Sequence, residues 1–89
     1  MLTLDQFKEA RSVLRGVIAD TDLVHSKYFS DLCGNQVYLK PENLQVTGAY
    51  KIRGAYYKTS KLTEEQKAKG LITASAGNHA QGVAYAAHV

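Results

Sequence analysis

The last 19 residues of the chain pass from strand-forming to helix-forming residues across one tight turn, and this change limits the possible folds more than any other feature. The stretch "LITAS" (residues 71–75) predicts a brief strand, and "GNHAQGVAYAAHV" (residues 77–89) has the spacing of a helix. The positions predicted to face inward hold small residues: Ala80, Val83, Ala84 and Ala87. Because small residues let a helix pack closely on a sheet, we predict an α/β fold with parallel strands.

Two further helices carry a capping-box pattern, in which a threonine precedes a glutamine by three residues. The pairs are Thr3 and Gln6 in "TLDQFKEARSVL" (residues 3–14), and Thr63 and Gln66 in "LTEEQKAKG" (residues 62–70). The first helix repeats apolar side chains on one face: Leu4, Phe7, Ala10 and Leu14. Gly70 is predicted to end the second helix.

The middle of the chain adds a strand and a helix to this alternation. "NQVYLK" (residues 35–40) is rich in strand formers and is stopped by Pro41, and a helix is predicted from Lys51 to Ser60. Two or three short strands cannot cover all of these helix faces. We therefore expect the chain to be the front part of a longer protein, or to depend on another chain for completion.

The composition is that of a globular protein, and we expect it in the cytoplasm. Of the 89 residues, 45% are hydrophobic and 21% are charged, and no apolar run is long enough to cross a bilayer. The N-terminus mixes charged residues into its apolar positions, unlike a signal peptide. The single cysteine, Cys33, cannot form an internal disulfide, which agrees with a reducing compartment.

The basic charge of the chain does not by itself indicate a nucleic-acid partner. The formal net charge is +3, and lysines are interleaved with tyrosines between residues 50 and 69. Glu64 and Glu65 interrupt this run and its lysines belong to separate elements, so we interpret it as two solvated helix faces. His25 and His88 stand without a second ligand at metal spacing, so no metal site is predicted.

The turn before the last helix is a candidate anion site. Its residues Ser75, Ala76, Gly77 and Asn78 place free backbone N–H groups at the positive end of a helix dipole. Such groups bind anions, and His79 lies inside the same turn. An alternative stays open, in which Ser75 or Asn78 merely caps the helix.

The stretch "VTGAYKIRGA" (residues 46–55) surrounds one lysine with small neighbours. Pairs of glycine and alanine at residues 48–49 and 54–55 flank Lys51, and Tyr50 directly precedes it. Without bulky neighbours, a large planar group could lie close to the backbone there. Lys51 is therefore the candidate for covalent chemistry.

Two motifs together carry a resemblance to a known family: "PENLQVTGAYKIRGA" (residues 41–55) and "TASAGNHAQGVA" (residues 73–84). They resemble the serine/threonine dehydratases, which are pyridoxal-phosphate enzymes of the tryptophan synthase β-like group, and the short N-terminus resembles the catabolic type. The resemblance implies the N-terminal part of a two-domain α/β fold with an open parallel sheet, incomplete in 89 residues. Residues 1–45 would begin the large cofactor domain and residues 46–89 the small domain.

The resemblance also implies roles for single residues. Lys51 would hold pyridoxal 5'-phosphate covalently and act as the base on the substrate α-proton, Tyr50 would lie against the pyridine ring, and Asn78 would reach the phenolic oxygen of the cofactor. The substrate carboxylate would be bound by the turn, which comprises Ser75, Ala76, Gly77, Asn78 and His79.

The chain departs from the family pattern in two ways. Ala49 and Tyr50 replace the usual serine and phenylalanine, so cofactor contacts there are expected to differ. The glycine-rich phosphate loop and the contact to the pyridine nitrogen, which the family has further downstream, do not occur in these 89 residues.

The activity implied by the resemblance is dehydration and deamination of L-threonine to 2-oxobutyrate and ammonia, and of L-serine to pyruvate. It would belong to amino-acid metabolism, in isoleucine biosynthesis or threonine catabolism. Serine dehydratase or serine racemase is the alternative enzyme. An inactive truncated fragment and a non-enzymatic α/β interaction module also remain open.

The resemblance extends to regulation and assembly. Some catabolic threonine dehydratases bind AMP between subunits, and Val46, Thr47 and Gln81 stand at the matching positions. Ordinary loop and helix residues are an equally good interpretation of these three positions. The full-length protein is expected to form a homo-oligomer.

Overall fold

The computed structural model describes residues 1–89, which form five α-helices, one 3-10 helix and two short strands. The α-helices are α1 (Leu4–Leu14), α2 (Lys27–Cys33), α3 (Lys51–Ser60), α4 (Glu64–Ala68) and α5 (Asn78–His88), and the 3-10 helix is Glu42–Leu44. Strands β1 (Val24–His25) and β2 (Tyr38–Leu39) pair antiparallel. None of the helices combines the length and the apolar character that a membrane span requires.

The local end signals of the predicted helices are confirmed. The Thr3 hydroxyl accepts the N–H of Gln6 at 3.3 Å while the Gln6 side chain accepts the N–H of Thr3 at 2.8 Å, and Thr63 and Gln66 form the same reciprocal pair. Helix α3 has the predicted bounds. Gly70 follows α4 with a φ of +79°, a backbone conformation that glycine adopts without steric cost.

The strand predicted for residues 71–75 is wrong, because these residues form no regular secondary structure. A strand needs a neighbour that satisfies its N–H and C=O groups, and the only strand pair of the chain, β1 with β2, involves other residues. Ile72 is 99% exposed in consequence. The parallel pairing predicted within this chain is likewise absent, because its one sheet is antiparallel.

A helix between the two strands was not predicted. Ser26 caps α2 by accepting the N–H of Phe29 at 3.2 Å, and Gly34 ends it with a φ of +73°. Both are ordinary end signals, but α2 has seven residues, too few to show helical periodicity. The strand predicted for residues 35–40 is shorter than expected, since β2 has two residues.

The small core lies between α3 and α5. Ile52 and Ala55 of α3 and Ala86 of α5 are buried and in contact, and Gly82 is also buried. The inward face predicted for α5 is therefore partly wrong: Ala80 and Val83 are half-buried, whereas Ala84 and Ala87 are exposed. The prediction assumed a sheet as the packing partner, and a single helix covers a narrower stripe.

Helix α1 lies against α3 through its last two turns. Leu14 is buried, Glu9 forms an ion pair with Lys61, and the Tyr57 hydroxyl donates to Glu9 at 3.1 Å. Leu4 and Phe7, on the predicted apolar face of α1, are exposed. Only the C-terminal half of that face has a packing partner in this chain.

Candidate active site

Helices α3 and α5 run side by side in the same direction. The backbone of Lys51 and Ile52, at the start of α3, lies against Gly82, in the first half of α5. At the other end, Thr59 and Ser60 of α3 and Ala87 of α5 line one cavity of about 350 Å³. Because the first residues of α3 lie against the first half of α5 and the last residues of both helices lie together, the N-termini of both helices open toward the same end of the pair.

Lys51 is the first residue of α3 and its amine has no polar partner. The side chain is exposed, and it forms no hydrogen bond or ion pair with any residue of the chain. Its Nζ lies 5.1 Å from the centroid of the Tyr50 ring, which is 58% exposed. An unpaired primary amine beside an accessible aromatic ring is available to bind an external group.

The space around Lys51 is open, as the small residues of the motif predict. A methyl group built on Gly48 or on Gly54 would meet nothing within 4 Å. Gly48 also has a φ of +76°, so the sharp turn that leads into α3 requires a conformation that other residues rarely adopt.

The turn before α5 presents free N–H groups. The Ser75 hydroxyl accepts the N–H of Gly77 at 3.1 Å, and the carbonyl of Gly77 accepts the first helical bond, from Gln81 at 2.9 Å. No side chain caps this helix, which does not support the capping alternative for Ser75 or Asn78. The N–H groups of residues 78–80 therefore have no acceptor within the chain.

The structure places the predicted site residues at one end of the helix pair without joining them directly. Tyr50 and Lys51 begin α3, and residues 75–79 form the turn and the first residues of α5. No hydrogen bond connects the two groups, and the side chains of Asn78 and His79 make none. The contact that relates the two groups is that of Gly82, one turn after Asn78, with the backbone of Lys51.

The three residues matched to an AMP site belong to the segment before α3 and to the first turn of α5. Val46 and Thr47 belong to the turn that precedes α3, and Gln81 is exposed in the first turn of α5. The Thr47 hydroxyl donates weakly to the carbonyl of Ala49 at 3.5 Å, and no hydrogen bond connects these residues with one another.

An ion pair that sequence reasoning missed holds the start of α3 in place. Arg53 donates to both carboxylate oxygens of Glu42, and the Thr21 hydroxyl donates to the same carboxylate at 2.7 Å. The hydrogen bond from Arg53 is the main cause that lowers the pKa of Glu42 from 4.5 to about 2, and the bond from Thr21 lowers it further against the effect of burial. Nothing in the residue spacing indicates that these three side chains meet.

Gln45 is a second residue whose role the sequence did not indicate. Its side chain holds the segment that leads to Lys51 in place. Its side chain is buried, accepts the N–H of Ala19 at 3.1 Å and donates to the carbonyl of Ala19 at 2.8 Å. The amide thereby satisfies both backbone groups of a residue far away in sequence. The only sequence signal for this role of Gln45 was that a polar residue stands inside the motif of residues 41–55.

Comparison with known proteins places the chain among enzymes. The family model described as "Pyridoxal-phosphate dependent enzyme" matches residues 14–89. The L-threonine ammonia-lyase of Thermotoga maritima is 52% identical over 89 residues, which are 100% of this chain and 22% of that protein. The chain spans between 21% and 25% of the length of the curated relatives that it matches first.

Two solved enzyme structures are similar to this chain. Serine racemase from Dictyostelium discoideum is 40% identical with a TM-score of 0.86, and the match covers 96% of this chain and 28% of that one. A threonine deaminase from T.th. is 40% identical with a TM-score of 0.81, and the match covers 98% of this chain and 31% of that one.

Proposed function

The chain belongs to the pyridoxal-phosphate dependent enzyme family, and on this premise we propose that the protein containing it is a threonine dehydratase. It would convert L-threonine to 2-oxobutyrate and ammonia, and L-serine to pyruvate and ammonia. One observation carries the proposal. The unpaired amine of Lys51 and the free N–H groups of the turn before α5 open at the same end of two parallel helices.

The residues of this chain fit one side of the cofactor and its substrate. Lys51 offers an amine without a competing partner, Tyr50 offers an exposed ring, and open space surrounds Gly48 and Gly54. Asn78 offers an amide with no partner in the chain. When bound, pyridoxal 5'-phosphate supplies an electron sink that stabilises negative charge at the substrate α-carbon.

The roles proposed for the chain's own residues follow from their positions. The turn of Ser75, Ala76, Gly77, Asn78 and His79 would bind the substrate carboxylate through its free N–H groups, since they lie at the positive end of α5 and only the N–H of Gly77 is already bonded, to the Ser75 hydroxyl. This contact would orient the substrate so that its α-proton faces Lys51. The amine of Lys51 would accept that proton. Loss of the β-hydroxyl as water, followed by hydrolysis, yields the 2-oxo acid and ammonia.

Serine racemisation is the second candidate function. The serine racemase from Dictyostelium discoideum has a TM-score of 0.86 to this chain, close to the 0.81 of the threonine deaminase. Both reactions need a base for the α-proton, so Lys51 and the turn would serve either one. They differ in the product, which is D-serine for a racemase and pyruvate for a dehydratase.

The proposal is tested on the protein expressed from its complete gene. After incubation with pyridoxal 5'-phosphate, borohydride reduction and peptide mass mapping should locate the cofactor on Lys51. Release of 2-oxobutyrate from threonine is measured in parallel. A label on another lysine would contradict the assignment of Lys51, and racemisation of serine without keto-acid release would favour the racemase. A complete protein with neither label nor turnover would support the non-enzymatic interaction module.

Regulation by AMP is a further part of the proposal. Val46, Thr47 and Gln81 lie near the shared N-terminal end of α3 and α5, where Val46 and Gln81 are exposed. A nucleotide bound there would be close enough to affect the position of Lys51. If AMP changes neither the dependence of rate on threonine concentration nor the oligomer size, this part is contradicted.

The domain division, location and assembly complete the proposal. We propose that the small domain starts at residue 46; the buried residues Ile52, Ala55 and Ala86 lie beyond it, although Ile18 from the preceding part packs against them. The free, exposed thiol of Cys33 agrees with the reducing cytoplasm. A homo-oligomer is proposed for the complete protein and is checked by light scattering.

A further inference from the structure

Gly82 stands where the backbone of α5 lies close to the backbone of α3. A Cβ atom on Gly82 would lie 3.2 Å from the carbonyl carbon of Lys51, 3.2 Å from the nitrogen of Ile52 and 3.3 Å from the Cα of Ile52. All three neighbours are backbone atoms, which cannot rotate away as a flexible side chain could. A side chain at residue 82 would therefore require the two helices to separate by a few tenths of an ångström.

This contact acts on Lys51 because α3 is held on its other sides. The Ile52 side chain is fully buried, and Arg53 is bonded to Glu42. Asn78 lies one turn before Gly82 on the same helix. The distance between the start of α3 and the turn before α5 is thus set at Gly82, where no side chain separates the two helix backbones.

We infer that Gly82 is a positioning residue that sets the distance between Lys51 and the turn of residues 75–79. The inference rests on the proposed function, because it assigns the spacing a role in turnover. Glycine within a helix is unfavourable compared with alanine, so helix formation does not explain its presence here. Ala86, one turn later in the same interface, is buried and carries a Cβ, so the need for glycine is local to residue 82.

Three substitutions separate positioning from simple packing. Gly82→Ala adds one carbon beside Lys51, and Ala86→Ser adds one oxygen to the same helix interface one turn away. Lys58→Ala shortens an exposed side chain further along α3, away from Gly82. All three are compared in the protein expressed from its complete gene.

We expect Gly82→Ala to lower kcat for threonine about tenfold while KM changes less than threefold, because the amine is displaced from its productive position and the turn stays intact. Ala86→Ser should lower the Tm but leave kcat within about twofold. Lys58→Ala should change neither the Tm nor kcat appreciably. Equal losses of kcat in Gly82→Ala and Ala86→Ser, or a wild-type kcat in Gly82→Ala, would overturn the inference.

A crystal structure of the Gly82→Ala protein gives a readout that does not depend on activity. The first turn of α3 should be displaced from α5 by a few tenths of an ångström. An unchanged spacing would overturn the positioning role. Failure of the borohydride label on wild-type Lys51 would instead reject the proposed function, so the two failures are distinct.

The combined variant Lys58→Ala/Gly82→Ala covers the case in which Gly82→Ala does not accumulate as folded protein. The substitution of the exposed Lys58 raises the helix propensity of α3 without a new contact. Failure of this variant to fold would also overturn the inference, since it would show that the helix pair cannot separate at all and that glycine serves folding alone.

Discussion

Arg53 and Glu42 form a two-point ion pair, with Nε 3.1 Å and Nη2 2.7 Å from the two carboxylate oxygens of Glu42. Arg53 lies two residues after Lys51 on α3, and Glu42 belongs to the 3-10 helix that precedes the lysine motif. Thr21 joins the pair through its hydroxyl. The helix that carries the candidate catalytic amine is thus fixed to two earlier segments of the chain.

The first prediction concerns acid stability. Because the pKa of Glu42 is lowered from 4.5 to about 2, its stabilising effect is complete above pH 4.5 and is lost as the pH falls toward 2. The shift corresponds to at most about 3 kcal/mol of unfolding free energy. In urea unfolding of the complete protein between pH 6 and pH 3, Glu42→Gln should be less stable at pH 6 and depend less on pH. An unchanged pH dependence would contradict the role of the pair.

The second prediction concerns the geometry of the same pair. Arg53→Lys keeps the positive charge but removes the planar fork, so one hydrogen bond to Glu42 is lost at a cost of about 1–3 kcal/mol. Arg11→Lys is the control, since Arg11 is exposed and forms no ion pair. Chemical denaturation measures both variants. Equal stability of the two proteins would show that charge alone matters.

The third prediction concerns Gln45. Gln45→Ala would leave the N–H and carbonyl of Ala19 without their partner, and we expect a loss of about 2–3 kcal/mol in unfolding free energy. Gln36→Ala is the matched control, because Gln36 is exposed and bonds only to His25. That variant should change stability by less than about 0.5 kcal/mol. A similar loss in both variants would sink this account.

The fourth prediction concerns the amine itself. Lys51→Ala should lower threonine turnover by several orders of magnitude without unfolding the protein. The substitution removes both the amine that would hold the cofactor and the base that would accept the α-proton. Lys51→Arg should behave nearly the same, since a guanidinium does not deprotonate. Lys58→Ala is the control, as Lys58 is exposed on the same helix, and it should keep turnover within a few fold. Near wild-type turnover of Lys51→Ala would show that another group acts as base.

Much of the helical structure was predictable because its signals are local. Thr3 with Gln6, and Thr63 with Gln66, satisfy the free N–H groups of their own helices, and glycine permits the positive φ at Gly70. The two motifs around Lys51 and Asn78 likewise predicted the family, which the comparisons confirm. The roles of single residues in those motifs remain predictions.

The sequence by itself therefore determined the helix ends, the bounds of α3 and the family, since each depends on residues that are neighbours in the chain. Only the tertiary structure decided that Arg53 pairs with Glu42, that Gly82 touches the backbone of Ile52, and that residues 71–75 form no strand. These features depend on which segments meet in space. A side chain or strand gains its partner from packing, and residue spacing along the chain does not specify that partner.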